Sequence, residues 1–188
     1  MKKSNVRTFT DGCIYIIDWK GGGLEPTPSA EKHKMGCVAY TAIEEEDICY
    51  EWDFVRVYNP SNIHLEFFQP ETKKQGVKKC DGVVQTTTGT TLLLELKHCR
   101  LATSNAKALR KLGDNKPKAE QQIISTKKAL QLSGRVYGLI ALPSILSYYP
   151  LGLKPQEVRA FYQEYGIMLD IGVSARFMGN DRVSFTEG

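Results

Sequence analysis

No stretch of this chain approaches the ~20 consecutive apolar residues that a membrane-spanning helix needs, so a spanning helix is excluded. Five cysteines are present (Cys13, Cys37, Cys49, Cys80, Cys99), but no CxxC pair, and His33, His64 and His98 do not complete a zinc spacing. Reduced, mostly buried thiols are the expectation. His98 and Cys99 are adjacent, and neighbouring strand residues point to opposite faces, which argues against a base–nucleophile pair. A strong charge of one sign is also missing: 25 basic and 21 acidic residues leave a formal +4, too little to mark a nucleic-acid binder by itself. No internal repeat or low-complexity tract occurs. The opening MKKSNVRTFTDGCIYIIDW has a basic tip, but Asp18 interrupts its short apolar run and no small-residue cleavage site follows. A cytoplasmic setting, away from membranes, is expected.

What is present suits one buried core. At 188 residues, 41% hydrophobic, the chain is read as a single domain, 1–188, with a core at about 30–142 and an extension at 143–188. CIYIIDW (13–19) reads as a strand, and KGGGLEPTPS after it as a loop. Apolar residues at helical spacing predict a helix from Ser29 to about Glu46. DICYEWDFVRVYN alternates like a strand, and NIHLEFFQ gives another after Pro60. The Gly-Asp-Asn-Lys-Pro sequence at 113–117 predicts a turn, with Pro117 opening the helix KAEQQIISTKKALQL. RVYGLIAL (135–142) has the continuous apolar run of a strand covered on both faces. A helix over KPQEVRAFYQEYG and short strands at GIMLDIGV and RVSF close the chain. The class expected is α/β or α+β, with a central mixed sheet flanked by helices.

CDGVVQTTTGTTLLLELK (80–97) carries the chemistry. Thr87-Thr88-Gly89 suits a three-residue hairpin loop, because its last position takes the left-handed conformation that glycine accepts freely. That loop pairs Thr86 with Thr90, and counting back sets Asp81 opposite Glu95, with Lys97 on the same face. Two carboxylates this close repel unless a cation sits between them, and a hard divalent ion takes such oxygen ligands. A lysine alongside can handle a water or offset charge on a phosphate.

At these residues the sequence resembles the PD-(D/E)XK nuclease superfamily. The signature is an acid on one strand, an acid-x-Lys triplet on the next, then a helix and a further strand. Here these are Asp81, Glu95-Leu96-Lys97, KAEQQIISTKKAL and VYGLIAL. Cys80 stands where the family's name has proline. The resemblance implies a restriction-endonuclease-like fold and metal-dependent hydrolysis of DNA, with Mg²⁺ or Mn²⁺ held by Asp81, Glu95 and the Leu96 carbonyl. Lys97 would assist the attacking water. A glutamine on the following helix completes many such sites, and Gln121 is preferred here over Gln122. An upstream helical glutamate would be one of Glu31, Glu44, Glu45 or Glu46.

Basic residues flank the hairpin. Lys73, Lys74, Lys78 and Lys79 precede Asp81, and Arg100, Lys107, Arg110, Lys111, Lys116 and Lys118 follow Lys97. Of these, Lys78, Lys79, Arg100 and Lys118 are the candidates for phosphate contacts. Trp19, Trp52 and SYYP (147–150) are candidates for base stacking, against the commoner role of core or edge packing. The rival reading is a noncatalytic module of the same fold that binds nucleic acid or a partner protein, as a homodimer or a subunit of a larger complex.

Overall fold

The computed structural model describes residues 1–20, 30–42, 54–72, 77–97, 105–141 and 153–185. Eleven strands and three helices occur among them, a sheet-rich α+β architecture. The strands form two sheets. One has six strands in the order β1 (Lys2–Phe9), β5 (Leu65–Glu71), β6 (Gly82–Thr86), β7 (Thr91–Leu96), β8 (Val136–Ala141), β9 (Met168–Gly172). The other has five: β11 (Arg182–Phe185), β10 (Ser174–Met178), β4 (Val55–Tyr58), β2 (Cys13–Asp18), β3 (Cys37–Tyr40).

Strand alternation builds three layers from this order. Ile14, Ile16, Val55, Val57 and Phe177 of the five-stranded sheet meet Phe67, Val84, Leu92, Leu94 and Leu139 of the six-stranded sheet in one buried cluster. The opposite face of the six-stranded sheet, with Val83, Leu93 and Ile140, receives Ala119, Ile123 and Ile124 of α2 (Asn105–Leu130). Partly buried Phe161 and Tyr165 of α3 (Pro155–Tyr165) pack against the same cluster. β7 and β8 are buried along their whole length, as their continuous apolar runs require. β7, β8 and β9 run parallel, and α2 is the crossover between the first two.

Four expectations are corrected. The single central sheet is two sheets; β2 and the C-terminal strands β10 and β11, placed outside the core pattern, build the second one. The helix expected from Ser29 to Glu46 is only α1 (Ala30–Met35). Gly36 at φ 68° ends it, and Cys-Val-Ala-Tyr then pairs as β3 with β2. Helical spacing lost there to strand pairing of a segment whose Cys37 and Ala39 face the core between the sheets. Positions 43–46 lie outside the described residues. Pro117 does not open a helix but sits inside α2. It forfeits one backbone hydrogen bond. Beside it, Lys116 pairs with Glu120 at 4.0 Å and with Glu157 of α3 at 2.9 Å, while Ala119 two residues on is fully buried. Finally β1, for which no strand was expected, forms an edge with most of its residues exposed and a register shift between Ser4 and Arg7. No helix among the described residues is long and apolar enough to cross a membrane.

Candidate active site

The loop of the β6–β7 hairpin is the one its sequence calls for. Thr86 N donates to Thr90 O at 2.9 Å, and Gly89 has φ 92° in open space. The ladder runs Gln85↔Thr91, Val84↔Leu92, Val83↔Leu93 and Gly82↔Leu94. The ladder ends there, and Asp81, just before β6, takes hold of the residues on either side of Glu95. Its backbone N donates to Leu94 O at 2.9 Å, and its Oδ2 accepts from Leu96 N at 2.7 Å. The carboxylate thereby fills the place of the main-chain carbonyl that a longer β6 would have offered to Leu96.

Glu95 and Lys97 lie at the C-terminal end of β7, where Lys97 N donates to Ala141 O of β8 at 2.8 Å. Ligand sites of parallel strands gather at such ends. Glu95 is 1% exposed, and its Oε1 accepts from Lys97 Nζ; its Oε2 is buried with no hydrogen-bond partner. Lys97 Nζ also donates to Gln122 Oε1 at 3.3 Å, and Gln122 Nε2 donates to Lys79 O at 2.9 Å. One turn along α2, Thr126 Oγ1 accepts from Cys80 N at 2.8 Å. Helix α2 is thus fastened to the residues just before Asp81 by two bonds from its inner face.

Both carboxyls are hard to ionise. Loss of solvation is the main cause for Asp81, followed by the charges of Glu95 and Asp18, and these hold it well above the usual carboxylate range. Desolvation likewise lifts Glu95 to about 7, although Lys97 and Gln122 pull it down. The arrangement is therefore an acidic pair short of positive charge, with one carboxylate oxygen left unsatisfied. Among the described residues no three His, Cys, Asp or Glu side chains converge into a metal-ligating set. Two carboxylates and a main-chain carbonyl still suit Mg²⁺, which keeps several of its waters.

The glutamine beside Lys97 is Gln122, not Gln121, whose side chain is exposed. Gln122 follows Ala119 by three residues and precedes Thr126 by four, both fully buried, so it shares the helix face that meets the sheet. That spacing is legible in the sequence itself. Asp18, at the end of β2, also reaches the site, as its charge acts on both Asp81 and Glu95. It comes from the second sheet, so nothing in the hairpin's own spacing could have indicated it. Glu31 lies on α1, and Glu44, Glu45 and Glu46 fall outside the described residues.

Of the phosphate-contact candidates, Lys78 and Lys118 are exposed and Lys79 is half-buried, while Arg100 lies outside the described residues. Trp19 is 5% exposed and packs with Ile17, Val38 and Phe54, whereas Trp52 and 147–150 lie outside. Cys37 and Cys80 are buried free thiols that burial pushes up, so neither is a ready nucleophile. Comparison with protein-family models, curated proteins and solved structures finds no match for this chain.

Proposed function

We propose that the chain hydrolyses phosphodiester bonds in DNA, using Mg²⁺ or Mn²⁺ at the cluster of Asp81, Glu95 and Lys97. The observation that carries this reading is the buried, partnerless Oε2 of Glu95 beside a second carboxyl that also resists ionisation. Such a pair is stabilised by a cation and costly without one. Asp81, Glu95 and the Leu96 carbonyl would hold the ion, which when bound supplies an acidified water and neutralises charge on the phosphate. Lys97, whose ammonium Gln122 holds in place, would orient the attacking water and offset charge on the phosphate. Exposed Lys78 and Lys118 offer phosphate contacts on the approach. The hairpin, the crossover helix and the parallel strand after it are the order of elements that supports a restriction-endonuclease-like fold for this half of the molecule.

One observation favours the noncatalytic alternative. Lys97 already bonds Glu95, so half of the acidic charge is balanced from within the chain. Cleavage of labelled single-stranded, duplex and branched DNA, and of RNA, with Mg²⁺ or Mn²⁺ separates the two readings. Cutting that drops by about 100-fold or more in Lys97→Ala and Asp81→Ala supports the nuclease. Absence of cutting on every substrate, or variants that cut like the native chain, leaves the binding module.

A further inference from the structure

The six-stranded sheet is the wider of the two, and at one edge it outruns its partner. Tyr137 of β8 faces the five-stranded sheet, its ring 6.2 Å from that of Phe185 on β11, and β11 is the last strand of that sheet. The register sets Met168 of β9 beside Tyr137 on the same face, one strand further out. Tyr137 is buried, whereas Met168 is 41% exposed. Between this overhang, α3 and β11 lies a cavity of about 350 Å³, lined by Arg135, Tyr137, Tyr162, Met168, Arg182 and Val183 among others.

The groups around it have donors and surfaces to spare. Tyr162 is 54% exposed; among the described residues its ring meets no other ring or cation, and its hydroxyl makes no hydrogen bond. Arg182 is exposed, and its guanidinium joins no hydrogen bond or ion pair among them. Arg135 directs Nη1 at the carbonyls of Asn180 and Asp181, each at 3.0 Å, which fixes its guanidinium beside the start of β11 and leaves Nε and Nη2 unused. No lining residue is acidic, and Asp181 Oδ1 accepts from Thr88 Oγ1 of the hairpin loop at 2.7 Å. Two guanidiniums from different strands suit a phosphate monoester, which carries close to two charges and accepts from both. The exposed ring and thioether beside them suit a planar group. Inorganic phosphate would leave ring and thioether uncovered, and an uncharged ring would leave the arginines unpaired. A nucleotide joins a dianion to a flat base through a hydroxylated sugar, and the volume falls within the range of about 300–1,000 Å³ of small-molecule sites.

We propose that this cavity binds a nucleoside 5′-monophosphate, its phosphate held by Arg135 and Arg182 and its base lying on Tyr162 and Met168. The cavity opens at the start of β8, whereas Glu95 and Lys97 lie at the far end of β7, which runs parallel to it. The proposal therefore stands apart from the nuclease reading.

The test is isothermal titration of the full chain, in EDTA, with adenosine and cytidine 5′-monophosphate, set against the two nucleosides, inorganic phosphate and phenyl phosphate. At least one nucleotide should bind, with its nucleoside, inorganic phosphate and phenyl phosphate each weaker by about tenfold or more. Arg182→Gln and Tyr162→Ala, which have no side-chain bonds to lose, should each weaken binding about fivefold or more. Arg159→Gln, an exposed arginine of α3 outside the cavity, should leave the affinity within about twofold. Amide shifts of the native chain on adding the nucleotide should centre on 134–137, Tyr162, Met168 and Arg182, and need no variant to fold. Failure of both nucleotides to bind at about 1 mM, equally tight binding of phosphate or phenyl phosphate, unchanged binding in the cavity variants, or shifts confined to the 80–97 hairpin would each overturn the proposal. Because the titration needs neither metal nor hydrolysis, a chain that binds a nucleotide here but never cuts DNA defeats only the nuclease reading, and one that cuts but shows no such binding defeats only this one.

Discussion

Lys97 Nζ lies 3.3 Å from Gln122 Oε1, and the amide of that glutamine is tied in turn to Lys79 O, next but one before Asp81. One helix side chain therefore links the lysine of one hairpin strand to the approach of the other. Without it, Lys97 would keep its bond to Glu95 but lose the contact that sets its direction. Gln122→Ala is expected to reduce cleavage about tenfold while leaving KM for DNA nearly unchanged, and Gln121→Ala to do neither. Steady-state kinetics of the two single variants, side by side, checks this; equal effects would dissolve the assigned role.

The raised carboxyls make a prediction about stability. Glu95 titrates at about 7 in the folded chain against an ordinary 4.5, so between these values the folded state holds a proton that the unfolded state has released. Stability must then fall as pH rises through that window, opposite to a salt-bridged carboxylate. Asp81, raised as well, adds a dependence of the same sign. In EDTA the melting temperature should decline from about pH 5 to about pH 8, and Glu95→Gln should flatten the decline. Adding Mg²⁺ at the upper end should restore melting temperature to the native chain alone, because an ion that binds only the folded state stabilises it. Thermal melts over this range, with and without the ion, would show it.

Asp81 has two duties that substitution can separate. Its Oδ2 accepts from Leu96 N, and its charge opposes Glu95. Asp81→Asn keeps an acceptor and removes the charge, so the metal-free protein should become more stable at neutral pH by about 1 kcal/mol while metal binding and cleavage collapse. Asp81→Ala removes the acceptor too and should cost about 1–3 kcal/mol relative to Asp81→Asn, the penalty of a stranded backbone donor. Denaturant unfolding of both variants, with isothermal titration of Mg²⁺, distinguishes them. An Asp81→Asn chain less stable than the native one would mean that the carboxylate serves the fold rather than an ion.

How much of this was legible depends on the range over which each signal acts. The hairpin register followed from Thr87-Thr88-Gly89 because a tight turn fixes its own strands locally, and β8 announced itself because both of its faces are buried. The short α1 and the unbroken α2 were not legible, since each outcome was decided by distant partners: β2 claimed Cys37–Tyr40, and the sheet and α3 hold α2 through Pro117. The second sheet escaped for the same reason. Its strands β2, β4 and β10 come from widely separated parts of the chain, and β10 joins β4 in parallel without any sequence mark of that pairing. Asp18 was hidden with it.

Gly138 is where the backbone of β8 makes room for the helix that carries Gln122. A Cβ placed there would stand 2.9 Å from Leu169 Cδ1, 3.1 Å from Ile123 Cγ2 and 3.3 Å from Ile167 Cγ2, all within the fully buried cluster under α2. None of those side chains can turn out to solvent, so Gly138→Ala presses α2 off the sheet and crowds the neighbouring strand β9, at a cost of about 1–3 kcal/mol. Ile123 adjoins Gln122 in the helix, so the same displacement draws the amide off Lys97, and activity should fall further than the loss of folded protein explains. Leu169→Val removes the atom nearest the new methyl group. On the Gly138→Ala background it should therefore recover part of the lost stability, although alone in the native chain it costs about 1 kcal/mol by leaving a small void. Melting curves and cleavage rates for the double-mutant cycle give the coupling directly; strict additivity would show that the two sites do not press on one another.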